Sequence, residues 1–182
     1  MKIEELRSGD LVFVAGNSIL ADIIKINQDI ENNKYGWLTH STMVLDNNKF
    51  DIPINESIQE GVAISSLYKY INEKRPLYCL RYKDQDLSVF QKTIYELTRR
   101  KVGVAKYNFI GLPTQAWRFI KTIFNKNVKA HEKNTTDKFM CYSLSCWILY
   151  IITNNEAFND WTNKAPIDGI ESGLFDVSLL EY

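Results

Sequence analysis

Hydrophobic and polar positions change their period near the middle of the chain. In the first half, short β-branched and aromatic runs are separated by turn residues. DLVFV (10–14) follows Ser8-Gly9, a turn signal, and reads as a strand. Asn17-Ser18 can then cap a helix, because Ile19, Leu20, Ile23, Ile24 and Ile30 recur at helical spacing. THSTMVL (39–45) predicts a second strand, closed by Asp46-Asn47-Asn48, a hairpin-like turn into KFDIPI (49–54). Val62 to Ile64 and Leu77 to Tyr82 complete a predicted antiparallel sheet.

In the second half the pattern turns helical. Residues 87–102 place Val89, Phe90, Ile94 and Leu97 on one face, with Gly103 at the exit. A further helix is expected from about Pro113 to Phe124, since proline suits a first helical position. The polar stretch 125–138 reads as a surface loop. A largely buried helix should begin near Cys141 and end by Asn154-Asn155. Strands followed by helices without regular alternation predict an α+β fold. No linker or repeat divides the chain, so residues 1–182 read as one domain.

Composition narrows the function classes. Lys+Arg 22 against Asp+Glu 22 gives a formal charge of zero, which argues against nucleic acid or anionic membrane as partner. Three cysteines, at 79, 141 and 146, are an odd number without framework spacing, unlike a secreted disulfide scaffold. MKIEELRSGD lacks the apolar core of a signal peptide, and the apolar run 139–152 is too short to span a bilayer. A cytoplasmic location without stable membrane insertion is the expectation. No CxxC, HExxH, GxGxxG or GxxxxGK[ST] occurs, so neither a metal nor another cofactor is expected.

Only two histidines are present. His131 lies in the polar loop and reads as solvated. His40 heads a strand among Thr39, Ser41 and Thr42, where its ring direction is fixed as a general base requires. Cys141 opens an apolar helix, where the helix dipole and free N–H groups favour a thiolate and could hold an oxyanion. Cys146, five positions on, points about 140° away and reads as core, as does Cys79 inside its strand. A third polar group normally orients the imidazole, and Asp46, Asp51, Glu56 and Glu60 are the candidates. Asp46 suits the turn and Glu60 solvent, which leaves Glu56 and Asp51 open.

The succession GDLVFV, LTHSTMVLD, NESIQEGVAISSLYKYI, KYNFIGL, KFMCYSLSCWIL and KAPIDG resembles the circularly permuted NlpC-like cysteine hydrolases. These are papain-fold relatives that include the lecithin:retinol acyltransferase-like group, and their histidine precedes the cysteine. The resemblance spans Gly9 to Asp168. It implies a permuted papain-like fold with Cys141 as nucleophile, His40 as base and Glu56 as the orienting carboxylate. Tyr107-Asn108-Phe109 matches the family's aromatic-polar-aromatic segment, and Pro166-Ile167-Asp168 its Pro-x-Asp motif. Cys141 is followed by Tyr142-Ser143 where the family has Ser-Glu. The implied activity is hydrolysis of an amide, ester or thioester through a thioester acyl-enzyme. Substrates of that chemistry include a small peptide, an amino-acid amide and a lipid-like acyl compound. The rival expectation is a binding protein that keeps the fold without the chemistry. A third, reversible membrane association through the Ile-rich helix at 19–30, lacks the Lys/Arg-rich face of an interfacial anchor.

Overall fold

The first predicted strand, Leu11–Val14 (β1), is buried at all four positions, which explains its unbroken apolar run. The structure is a computed structural model and describes residues 1–16, 22, 35, 37–47, 51–107, 138–160 and 166–182. β1 pairs with His40–Val44 (β2) on one side and with Leu77–Tyr82 (β5) on the other. Outward from β2 come Pro53–Ile58 (β3) and Gly61–Ser66 (β4); outward from β5 comes Phe175–Leu179 (β8). The order β4-β3-β2-β1-β5-β8 is antiparallel throughout. Between β4 and β5 lies a short helix, Tyr68–Asn72 (α1). Gly9 enters β1 with φ +90°, and a Cβ there would lie 2.4 Å from Leu87 Cβ, so the turn requires glycine twice over.

Residues alternate between two cores. Leu11 and Phe13 face one cluster, and Val12 and Val14 face the other. The first cluster is covered by Cys141–Thr153 (α3) and Gln91–Arg99 (α2); the second holds Leu67 and Tyr70 beside the sheet. α3 is buried continuously from Cys141 to Leu149, as a helix apolar all round must be. It ends at Asn154, whose left-handed φ of 51° is a conformation asparagine tolerates. Two short strands, Lys106–Tyr107 (β6) and Lys138–Phe139 (β7), pair in parallel and lead into α3. A last helix, Pro166–Glu171 (α4), precedes β8.

Two expectations need correction, and three elements were not expected at all. The strand expected over 49–54 starts at Pro53 and runs on to Ile58, so it carries Asn55, Glu56 and Ser57. These polar side chains look unlike a buried strand, yet all three are buried with hydrogen-bond partners. The helix expected over 87–102 begins instead as a 3-10 turn, Leu87–Phe90, capped by Asp86, and becomes α-helical only at Gln91. The tighter turn rotates Val89 out of the packed face, and it is 73% exposed. β8 is hidden because its burial is partial and irregular, and α1 and α4 because five or six residues are too few to show a helical period.

The expected helices at 19–30 (apart from Asp22) and 113–124, Asn48 of the expected turn, residues 49–50 of the expected strand, and Asn108, Phe109 and His131 lie outside the described residues, as does the loop 125–138 apart from Lys138. Among the described residues, no helix is long and apolar enough to cross a membrane.

Candidate active site

Cys141 is the first residue of α3, and its approach is fastened to the sheet. Ser57 Oγ donates to the Phe139 carbonyl at 2.7 Å, tying β3 to the strand that enters the helix. Met140 N–H donates to Ser143 Oγ at 2.7 Å, and that hydroxyl donates to the Met140 carbonyl at 2.9 Å. Ser143 thereby fills the third helical position, where a capping-box glutamate ordinarily reaches back to the N-cap N–H. The departure from Ser-Glu after the cysteine thus preserves the local hydrogen bond.

His40 begins β2 opposite Val14, on the sheet face that also carries Glu56. Its Nε2 lies 3.2 Å from Glu56 Oε2, and its ring centroid is 6.1 Å from that of Tyr70. With Nε2 committed to Glu56, Nδ1 is the ring nitrogen left for Cys141, whose side chain hydrogen-bonds the imidazole. The sulfur also lies 3.9 Å from the Thr39 carbonyl and accepts from the backbone N–H groups of Ser41 and Tyr142. The structure therefore brings Cys141, His40 and Glu56 into one chain of contacts. Asp46, Asp51 and Glu60 are exposed, and Asp46 accepts from the Asn47 N–H at 2.8 Å, as a turn former does.

Electrostatics favour an ion pair. Burial alone would lower the His40 pKa, but hydrogen bonding to Cys141 and Glu56 outweighs it and lifts the value to about 9. Burial would raise the Cys141 thiol, yet the hydrogen bond with His40 and the two backbone donors bring it below its ordinary value. Both shifts run in the direction that favours a thiolate beside an imidazolium. Glu56 is 1% exposed; burial pushes its carboxyl up, and hydrogen bonds from His40, Lys69 and Ser65 hold it far below the usual range. The side chain of His40 keeps 17% of its surface exposed, which leaves the pair a solvent-facing side.

Cys79 and Cys146 are buried, and burial pushes the Cys79 thiol well up. Cys146, one turn further along α3, belongs to the first cluster and hydrogen-bonds the Tyr142 hydroxyl. Tyr142 stands edge-on to Phe13 at 5.5 Å and meets Gly169 of α4, where a Cβ would lie 2.5 Å from its hydroxyl. The Pro166-Ile167-Asp168 segment thus closes over the first turn of α3. Sequence reasoning missed Ser65, Lys69 and Tyr70, which all bond Glu56. The usable signal was register: Ser65 pairs with Ile54, two residues from Glu56 on the same face. Among the described residues, no group of three His, Cys, Asp or Glu gathers as metal ligands would.

A model of the family described as "permuted papain-like amidase enzyme, YaeF/YiiX, C92 family" matches residues 5–159. Among solved structures the chain is similar to one described as the metalloprotein YiiX from Escherichia coli O157:H7. The TM-score is 0.65 at 12% identity, over 97% of this chain and 98% of that one, a likeness of fold. No curated protein matches.

Proposed function

The chain belongs to the C92 family of permuted papain-like amidases, its α+β fold being the permuted papain-like one that the motif order leads one to expect, and from that premise we propose that it hydrolyses an amide or ester through a thioester formed on Cys141. The observation that carries this reading is the chain of contacts from the Cys141 sulfur through the His40 ring to Glu56. The thiolate attacks the substrate carbonyl carbon, and the oxyanion that forms is held by the Cys141 backbone N–H and one further donor. His40 passes its proton to the departing amine or alcohol as the tetrahedral adduct collapses to the thioester. Water then adds to the thioester, giving its proton to His40, and the acid leaves as the sulfur is released. Glu56 accepts from Nε2 and keeps the ring in the tautomer and direction that both steps need.

Substrates of this chemistry are a small peptide, an amino-acid amide or a lipid-like acyl ester. The kinship to NlpC-like and lecithin:retinol acyltransferase-like hydrolases enters the same reading and keeps the acyl ester among them. An inactive binding protein is the less favoured alternative, since all three side chains are present and in contact.

Labelling with iodoacetamide, read by mass spectrometry, tests the proposal. Cys141 should be alkylated far faster than Cys79 or Cys146 at neutral pH. Cys141→Ala should leave a folded chain without turnover on a panel of chromogenic amides and esters. Equal, slow labelling of all three thiols would sink the enzyme reading.

A further inference from the structure

Glu56 does not act on His40 alone. Its Oε1 accepts from Ser65 Oγ at 2.6 Å and from Lys69 Nζ; its Oε2 accepts from the Tyr70 hydroxyl at 2.8 Å and from His40 Nε2 at 3.2 Å. A carboxylate offers about four lone-pair directions, so these donors fill it. Three carry no formal charge or only a shared one, whereas Lys69 brings a full positive charge to a carboxylate buried at 1% exposure.

The groups facing this carboxylate come from every element packed around it: His40 from β2, Ser65 from β4, and Lys69 and Tyr70 from α1. Lys69 Nζ also lies 4.7 Å from the Tyr70 ring centroid, with Arg75 Cζ 5.5 Å from the same ring. Arg75 is engaged elsewhere, with Glu73 and with the Ala15 carbonyl at 3.0 Å. Cys141 faces the other side of His40. An unbalanced buried carboxylate would grip an imidazolium strongly, which suits a thiolate–imidazolium pair but opposes delivery of that proton to a leaving group.

Building on the proposed roles of Cys141, His40 and Glu56, we propose that Lys69 is a positioning residue that balances the charge of Glu56, so that the carboxylate fixes the His40 ring yet leaves its proton available to the departing group. Lys69 acts through Glu56 and touches neither the sulfur nor the substrate carbonyl in this scheme.

The test is an NMR titration of the histidine rings in the full chain. With only two histidines, the spectrum of His40→Ala assigns the signals. Lys69→Gln keeps a donor for Oε1 but removes the charge, so the His40 midpoint should rise by about one pH unit above the wild type. Lys69→Arg should restore the wild-type midpoint. A lysine that merely supported the fold would lower the melting temperature on replacement without moving the midpoint upward. Should the glutamine variant not fold, Lys69→Met is titrated in its place with the same expected rise. An unmoved midpoint in a folded variant overturns the proposal. Iodoacetamide labelling of the same samples separates the two readings. Preferential labelling of Cys141 with an unmoved midpoint refutes the role of Lys69 alone. Absence of preferential labelling removes the reading of the site, and the assignment of Lys69 with it.

Discussion

Each member of the Cys141–His40–Glu56 chain has its titration moved by its neighbours. For Cys141 the consequence is reactivity below the ordinary thiol range. Its alkylation rate plotted against pH should reach a plateau well under pH ~8.5 in the wild type. In His40→Ala the plateau should shift above that value, because burial, the largest influence, is then opposed only by the Ser41 and Tyr142 backbone donors. For Glu56 the consequence is acid sensitivity. Its folded pKa is depressed, so its contribution to stability is complete above the unfolded value of ~4.3 and is lost as pH falls further. Thermal melts should therefore steepen their decline below about pH 4 in the wild type, and Glu56→Gln should flatten that decline. Glu56→Ala should also cost about 3 kcal/mol at neutral pH, since Lys69, Ser65 and Tyr70 are left facing an empty acceptor site; chemical denaturation measures it. At this scale the sequence reveals His40 and Cys141 more readily than Glu56. Histidine and cysteine are scarce, and His40 and Cys141 stand at element starts, whereas Asp46, Asp51, Glu56 and Glu60 all follow His40 closely and only folding separates the buried one from the exposed three.

Among the elements, α3 and β2 are legible because each has an unbroken pattern and a clear stop. α3 runs largely apolar from its first turn to Asn154, and β2 joins polar His40-Ser41-Thr42 to apolar Met43 and Val44. β3 is half hidden, since its inward positions are occupied by Asn55, Glu56 and Ser57, the residues that build the site and fasten α3 to it. Local pattern fails where a strand is spent on function. α1 is hidden by length, five residues that present Lys69 and Tyr70 without a readable period. Two substitutions probe how α3 is held. Ser143→Ala should destabilise by about 1 kcal/mol, the usual cost of a lost helix cap, and should lower turnover through movement of Cys141. Gly169→Ala drives a methyl to within 2.5 Å of the Tyr142 hydroxyl and should cost roughly 1–3 kcal/mol by overpacking. A melting temperature unchanged by Gly169→Ala would show that α4 yields rather than clamps.

Across the whole molecule, one sheet separates two apolar cores and carries the site at its margin. Helix α3 lies on one face and α1 on the other; the sulfur reaches the His40 ring from α3, the carboxylate from β3 within the sheet, and α1 backs the carboxylate with Lys69 and Tyr70. The backbone also closes on itself. Ile3 N–H donates to the Glu181 carbonyl at 3.1 Å, and Glu181 N–H donates to the Met1 carbonyl at 2.9 Å. A short flexible bridge from Tyr182 to Met1, with new ends cut at the exposed Asp84-Gln85 bend, would therefore disturb few contacts. Such a rearranged chain would read Cys141 first and His40 and Glu56 afterwards, the sequence order of ordinary papain, while every side chain kept its place.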